Sequence, residues 1–272
     1  MIFFYIQELK NTFMAFLEAF EKSFAMIVKN IKVVLPVTLN WLVTSFFILY
    51  VLFFWKFFDK HIGLIERMKL ALNYPESFQL YSMNEWLYVM GFLLGLFVIS
   101  LIYLSLNVFL DLFYTFCMKH YYFRKRVDFN QSIDASLRHF GKLFYTWLLA
   151  FMAILLAIAT SMLLAFIPFI GFFVFLALIF LVLFFTLLFI ILPPIVVFEK
   201  REGMEALKGG CDFVKKNFLS LLGILIIIGL LHIVAFSLSH IPFFGFFVYL
   251  FANAFLVGWS KSLPAAFYLE VT

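Results

Sequence analysis

Long apolar runs alternate with short charged stretches along this chain, and the apolar runs set the architecture. Six of them, at residues 31–58, 86–118, 143–167, 172–198, 218–241 and 244–259, meet the need of a membrane helix for about 20 mostly apolar residues across roughly 30 Å of hydrocarbon. The sixth is short and reaches full length only by continuing through Pro264 to Tyr268. Runs such as FVFLALIFLVLFFTLLFIIL do not alternate between apolar and polar positions, so barrel strands are excluded. The runs are read as helices, whose backbone groups pair internally in lipid. The pattern therefore predicts an all-α, six-span integral membrane protein forming one membrane domain over residues 1–272.

A helical period also runs through the charged stretches. In FMAFLEAFEKSFAMIVKNI, the residues Phe13, Phe16, Leu17, Phe20, Phe24, Ile27, Val28 and Ile31 recur at steps of three and four and so share one helical face. Glu18, Glu21, Lys22 and Lys29 fall elsewhere. Before the fifth run, Met204, Leu207, Cys211, Val214 and Phe218 do the same, with Glu202, Glu205, Lys208 and Lys215 on the polar side. SIDASLRHFGKLF precedes the third run with a matching pattern. Each segment predicts an amphipathic helix in the headgroup plane, its apolar face about 5–10 Å deep and its Lys side chains snorkelling towards phosphates. Lys215, Lys216 and Asn217 mark the corner where the chain turns into the membrane.

Internal similarity organises these pieces. IPFIGFFVFL from Ile167 and IPFFGFFVYL from Ile241 agree at eight of ten positions, each as a tight Pro/Gly hairpin between two spans. Setting Glu18-Ala19 on Glu205-Ala206 also sets Lys29-Asn30 on Lys216-Asn217, and Asp134-Ala135 takes the matching place in the middle segment. Three repeat-like units follow, at about residues 4–58, 131–198 and 203–268. Residues 59–85 form the one sizeable external loop, read as a short amphipathic helix that caps the bundle or docks a partner.

Composition agrees with a bilayer setting: 66% hydrophobic against 13% charged residues lies outside the balance of soluble domains. The 43 Phe residues are read as lipid-facing and packing side chains. The first 30 residues carry acidic as well as basic side chains and no signal-peptide core, so the N-terminus is expected to stay in the mature protein. Of the 20 basic residues, all but Lys56, Lys60, Arg67 and Lys69 fall on one side of the six-span arrangement. The positive-inside bias then places both termini in the cytoplasm of a cell membrane. Cys117 and Cys211 fall on that reducing side, without metal-ligand spacing, so neither a disulfide nor a metal site is expected.

Candidate chemistry is sparse. No phosphate-binding Gly loop, HExxH or GxSxG motif occurs, no cofactor is implied, and nothing points to nucleic acid or to enzymatic activity. The basic residues Lys29, Lys32, Arg138, Lys142, Lys215 and Lys216 are the candidates for binding anionic lipid headgroups. The intramembrane polar candidates are Asn107, Asp111, His232 and Asn253. Asp111 follows Asn107 by one turn, and an ionisable residue within a span marks a functional site by default. The alternative is that Asp111 lies at headgroup level and pairs with a basic residue such as Lys119. His232 and His240 are two turns apart, too far to share one metal.

The run PPIVVFEKREGMEALKGGCDFVKKNFLSLLGILIII resembles the recurring signature of the membrane domain of glycerophosphodiester phosphodiesterases and of YciC-type integral membrane proteins. Glu199, Gly203, Ala206, Leu207, Lys216 and Asn217 carry the likeness, although Gly210 stands where that pattern often has Ser. The resemblance implies a six-helix membrane fold without hydrolysis, because no catalytic domain accompanies it. VLPVTLNWLV from Val34 and the two IPFxG turns are similar to CysZ-type sulfate permeases, which implies anion transport. The expected function is a non-catalytic, lipid-interacting scaffold or accessory subunit, with membrane-protein subunits or further copies of itself as partners. A sulfate-like anion permease or channel is the alternative.

Overall fold

The computed structural model describes residues 2–37, 44–53, 83–165, 170–238 and 245–272. Among these residues there is no strand; the elements are helices α1 (Ile2–Lys29), a 3-10 turn (Ile31–Val34), α2 (Thr44–Phe53), α3 (Met83–Arg124), α4 (Phe129–Ala165), α5 (Ile170–Phe198), α6 (Gly203–Lys216), α7 (Phe218–Leu238) and α8 (Gly245–Val271). Four segments are long and apolar enough to cross a membrane: Met90–Arg124, Phe129–Ser161, Leu176–Phe198 and Phe218–Ser237. Of the other two expected spans, the first runs partly outside the described residues, and the last lies within α8, which continues through Pro264. Most of the external loop and the first residues of both IPFxG turns also lie outside the described residues.

The chain divides into two compact units. In the smaller, residues 38–107, Tyr50 of α2 stacks on Phe92 of α3 with ring centroids 6.1 Å apart, and Gly95 leaves the space that the Tyr50 hydroxyl fills. The larger unit, residues 1–37 and 108–272, holds the core. Its fully buried side chains gather at one end of the helices, on Leu110–Met118 of α3, Leu187–Val197 of α5 and Trp259–Tyr268 of α8. Further along the same bundle, Phe151, Leu156, Phe180 and Ile233 are exposed. Hydrocarbon solvates such side chains as well as a protein interior does, so those halves need little internal packing in a bilayer.

Helix ends follow local chemistry. α3 stops at a left-handed Lys125 (φ 56°) and α5 just before a left-handed Lys200 (φ 59°), the conformation common at helix C-termini. Asp128 then starts α4, its carboxylate accepting from the Gln131 N–H at 3.0 Å. Asn30 and Asn217 form two matching corners. Each side-chain amide donates to the carbonyl four residues back, Met26 O at 3.0 Å and Phe213 O at 3.1 Å, while the main chain leaves helical geometry. Each Asn carbonyl then accepts the first bond of the next element, from Val33 N–H and Leu221 N–H.

The middle segment departs from the expected pattern. Residues 132–144 do not form a separate interfacial helix but run into the apolar part of α4 without a corner. The position equivalent to Asn30 and Asn217 there is Thr146. Its hydroxyl bonds back to Lys142 O at 2.8 Å, which a Thr can do inside an intact helix.

Candidate functional site

The candidate site is built on α1 and α6, which both rest on the core end of the bundle. Superposing Asn30 on Asn217 sets Ala19, Ser23 and Ile27 on Ala206, Gly210 and Val214, and all six are buried. Small residues on this face allow close approach: a Cβ at Gly210 would come within 2.5 Å of Leu188 and 3.3 Å of Leu192 on α5. The expected single apolar face is therefore split. The small and inner residues pack inwards, whereas larger ones point away from the protein: Val28, Ile31 and Leu35 are 54%, 71% and 61% exposed, and Met204 is 59% exposed.

Contacts with α8 show how α1 lies. Phe20 packs edge-on against Trp259 and Phe24 against Phe255, while Lys22 pairs with Glu270 at 2.6 Å. Trp259 and Glu270 are separated by about 16 Å of helix, yet they touch α1 residues only two positions apart. So α1 meets α8 at an angle, with aromatic rings on the side of the apolar half of α8 and the Lys22 ammonium on the side of its C-terminal end. Lys22 also lies 4.9 Å from the Tyr122 ring centroid. Burial lowers the Lys22 pKa, but the hydrogen bond and charge of Glu270 outweigh it and the net direction is upward.

The six headgroup candidates are all exposed. Lys29, Lys32, Arg138, Lys215 and Lys216 make no ion pair among the described residues, whereas Lys142 pairs with Glu202 at 2.8 Å. Lys29 and Lys32 flank the Asn30 corner; Lys215 and Lys216 precede the Asn217 corner. Cys211, half-buried on α6, has its thiol pKa pushed up, mainly by burial.

The intramembrane candidates separate. The Asn107 amide donates to Tyr103 O at 2.9 Å, and His232 donates through Nδ1 to Ile228 O at 2.9 Å, both within their own helices. Asn253 is half-buried on α8. Asp111 forms an ion pair with Lys261 of α8 at 2.5 Å, and both side chains are largely buried, at 15% and 16% exposure. Lys119, the partner suggested by sequence proximity, instead lies over the Phe116 and Phe198 rings and donates to Val197 O at 3.4 Å. Lys261, which the sequence reading did not single out, thus brings a largely buried positive charge to Asp111. Its signal was present, the single Lys of α8, but its partner lies 150 positions away.

Sequence reading also missed the role of the α8 terminus. The Tyr268 hydroxyl donates to Glu199 Oε1, Arg201 Nε donates to Glu199 Oε2 at 2.7 Å, and the Tyr268 ring stacks on Phe198 and tilts against Phe213. The loop between α5 and α6 is thereby tied to the end of the chain. Among the described residues, no group of three or more His, Cys, Asp or Glu side chains is placed to hold a metal ion. Compared with known proteins, the chain matches no family model, no curated sequence and no solved structure.

Proposed function

We propose that this chain is a non-catalytic, six-span protein of the cell membrane, with both termini in the cytoplasm, whose interfacial helices bind anionic lipid headgroups and present a lipid-organising or subunit-docking scaffold. The observation that carries this reading is the shared build of α1 and α6. Both have a small-residue face against the bundle, apolar side chains pointing outwards, and exposed lysines at the corner where the next element begins. That is the arrangement of a helix partly sunk in one leaflet with its ammonium groups at phosphate level. The matching corners at Asn30 and Asn217 support a duplicated unit, and the motif around Glu199 to Asn217 supports kinship with the membrane domain it resembles.

The test is lipid retention by the purified protein. Each Lys near an anionic surface is worth about 1 kcal/mol. Replacing Lys29, Lys215 and Lys216 together with Gln should sharply reduce co-purifying anionic lipid, while neutral lipid is unaffected. The unmodified protein in liposomes should pass sulfate no faster than empty vesicles. Saturable sulfate uptake above that background would replace the scaffold reading with the permease; unchanged lipid retention in the triple variant would remove the headgroup collar.

A further inference from the structure

We infer that Asp111, Lys261 and Tyr114 form a latch that positions the Asn30 corner, and with it the two lysines that flank it. The inference deepens the headgroup-binding reading and rests on it for the consequence at the lipid surface.

Three elements meet at the latch. The Tyr114 hydroxyl, buried within the core, donates to the Val33 carbonyl at 2.8 Å, in the 3-10 turn that follows α1. The Tyr114 ring lies against Gly258 of α8, where a Cβ would come within 3.0–3.2 Å of three of its atoms. A side chain at 258 would therefore crowd the ring that reaches the turn. Asp111 lies one turn before Tyr114 on α3, and Lys261 one turn after Gly258 on α8, so the ion pair and the Tyr114–Gly258 contact are adjacent rungs between the same two helices. The ion pair sets the register of α3 against α8; the register sets where the Tyr114 hydroxyl stands; the hydroxyl holds Val33. Val33 is 1% exposed, whereas Lys29 and Lys32 just before it are exposed. A shift of the Tyr114 hydroxyl is thus transmitted through Val33 to the two ammonium groups beside it. Asp111 and Lys261 are positioning residues, acting through Tyr114 and touching no lipid themselves.

The experiment is limited trypsin cleavage of the full chain in nanodiscs containing anionic lipid, scored after Lys29 and Lys32 against cleavage after the exposed Lys208 on α6 as internal reference. Tyr114→Phe deletes only the hydroxyl, and Asp111→Asn removes one charge of the pair. Both should speed cleavage at Lys29 and Lys32 by roughly fivefold, the change in opening that loss of one buried hydrogen bond implies, and leave Lys208 unchanged. The exchanged pair Asp111→Lys with Lys261→Asp should return cleavage towards the wild-type rate. Unchanged cleavage in both single variants overturns the latch, as does equal acceleration at Lys208, which signals general loosening. Faster cleavage at the corner with anionic-lipid retention intact upholds the latch and removes only its consequence at the lipid surface, while the headgroup reading itself is decided by the variant of Lys29, Lys215 and Lys216.

Discussion

Gly203→Ala should destabilise the protein, although alanine is the better helix former. Gly203 opens α6 at φ +58°, in the left-handed region. An L side chain there costs about 1–2 kcal/mol through the contact of its Cβ with the following carbonyl. The added Cβ would also lie 2.9 Å from a ring carbon of Tyr145, a side chain 53% exposed and free to swing outwards, so this clash adds little. Relaxing the backbone out of the left-handed region offers no escape. The buried Gly203 N–H donates to Thr146 Oγ1 at 2.9 Å, and abandoning that bond strands a buried donor at about 1–3 kcal/mol. Gly141→Ala is the control: Gly141 is exposed within α4, nothing lies within 4 Å of its added Cβ, and the change should gain about 0.8–1 kcal/mol of helix propensity. The two variants should therefore move the melting temperature in opposite directions, by roughly 2–4 °C per kcal/mol for a chain of this size, in thermal unfolding followed by circular dichroism in detergent. A Gly203→Ala protein that melts at or above the wild-type temperature would refute the reasoning.

Two further outcomes follow from the same geometry. The upward pKa direction of Lys22 means that its pairing with Glu270 stabilises fully below the ordinary Lys range near 10.4 and is lost as pH rises through the higher folded value. Between about pH 9 and 12 the wild type should accordingly lose more stability than Glu270→Gln, and parallel stability curves for the two would count against the pairing. For topology, a cysteine introduced at Gly171 should react with an impermeant maleimide from outside intact cells, whereas Cys211 should react only after permeabilisation; the reverse order would invert the proposed orientation.

How much was legible can be traced through individual residues. The Asn217 corner was readable because Lys216-Asn217 separates two hydrophobic patterns of different kind, and the Asn30 corner followed by alignment. The same alignment failed at Thr146, where a hydroxyl bonds within the helix and the chain runs straight on. The inward face of α6 was misread because a periodicity of large apolar residues selects Met204 and Leu207, whereas packing density selected Gly203, Ala206 and Gly210. At a membrane surface both the bundle-facing and the lipid-facing sides of such a helix accept apolar residues, so hydrophobicity separates them from the charged side but not from each other. For Asp111, the sequence flagged the residue and left its partner open, since an ion pair between α3 and α8 has no local signature.

By itself the sequence determined the helical class, the long apolar helices and the amphipathic character of the segments before the first and fifth runs. Those properties depend on residue type at fixed spacing, and the backbone hydrogen bonds they demand are local. Only the tertiary structure decided that Lys261 neutralises Asp111, that Lys22 reaches Glu270, and that Tyr268 ties Glu199 to the end of the chain. Each of these joins residues 69 to 248 positions apart. Burying charge and polar groups at a helix junction is tolerable only with a partner at hydrogen-bonding distance, and which partner arrives depends on how the helices pack.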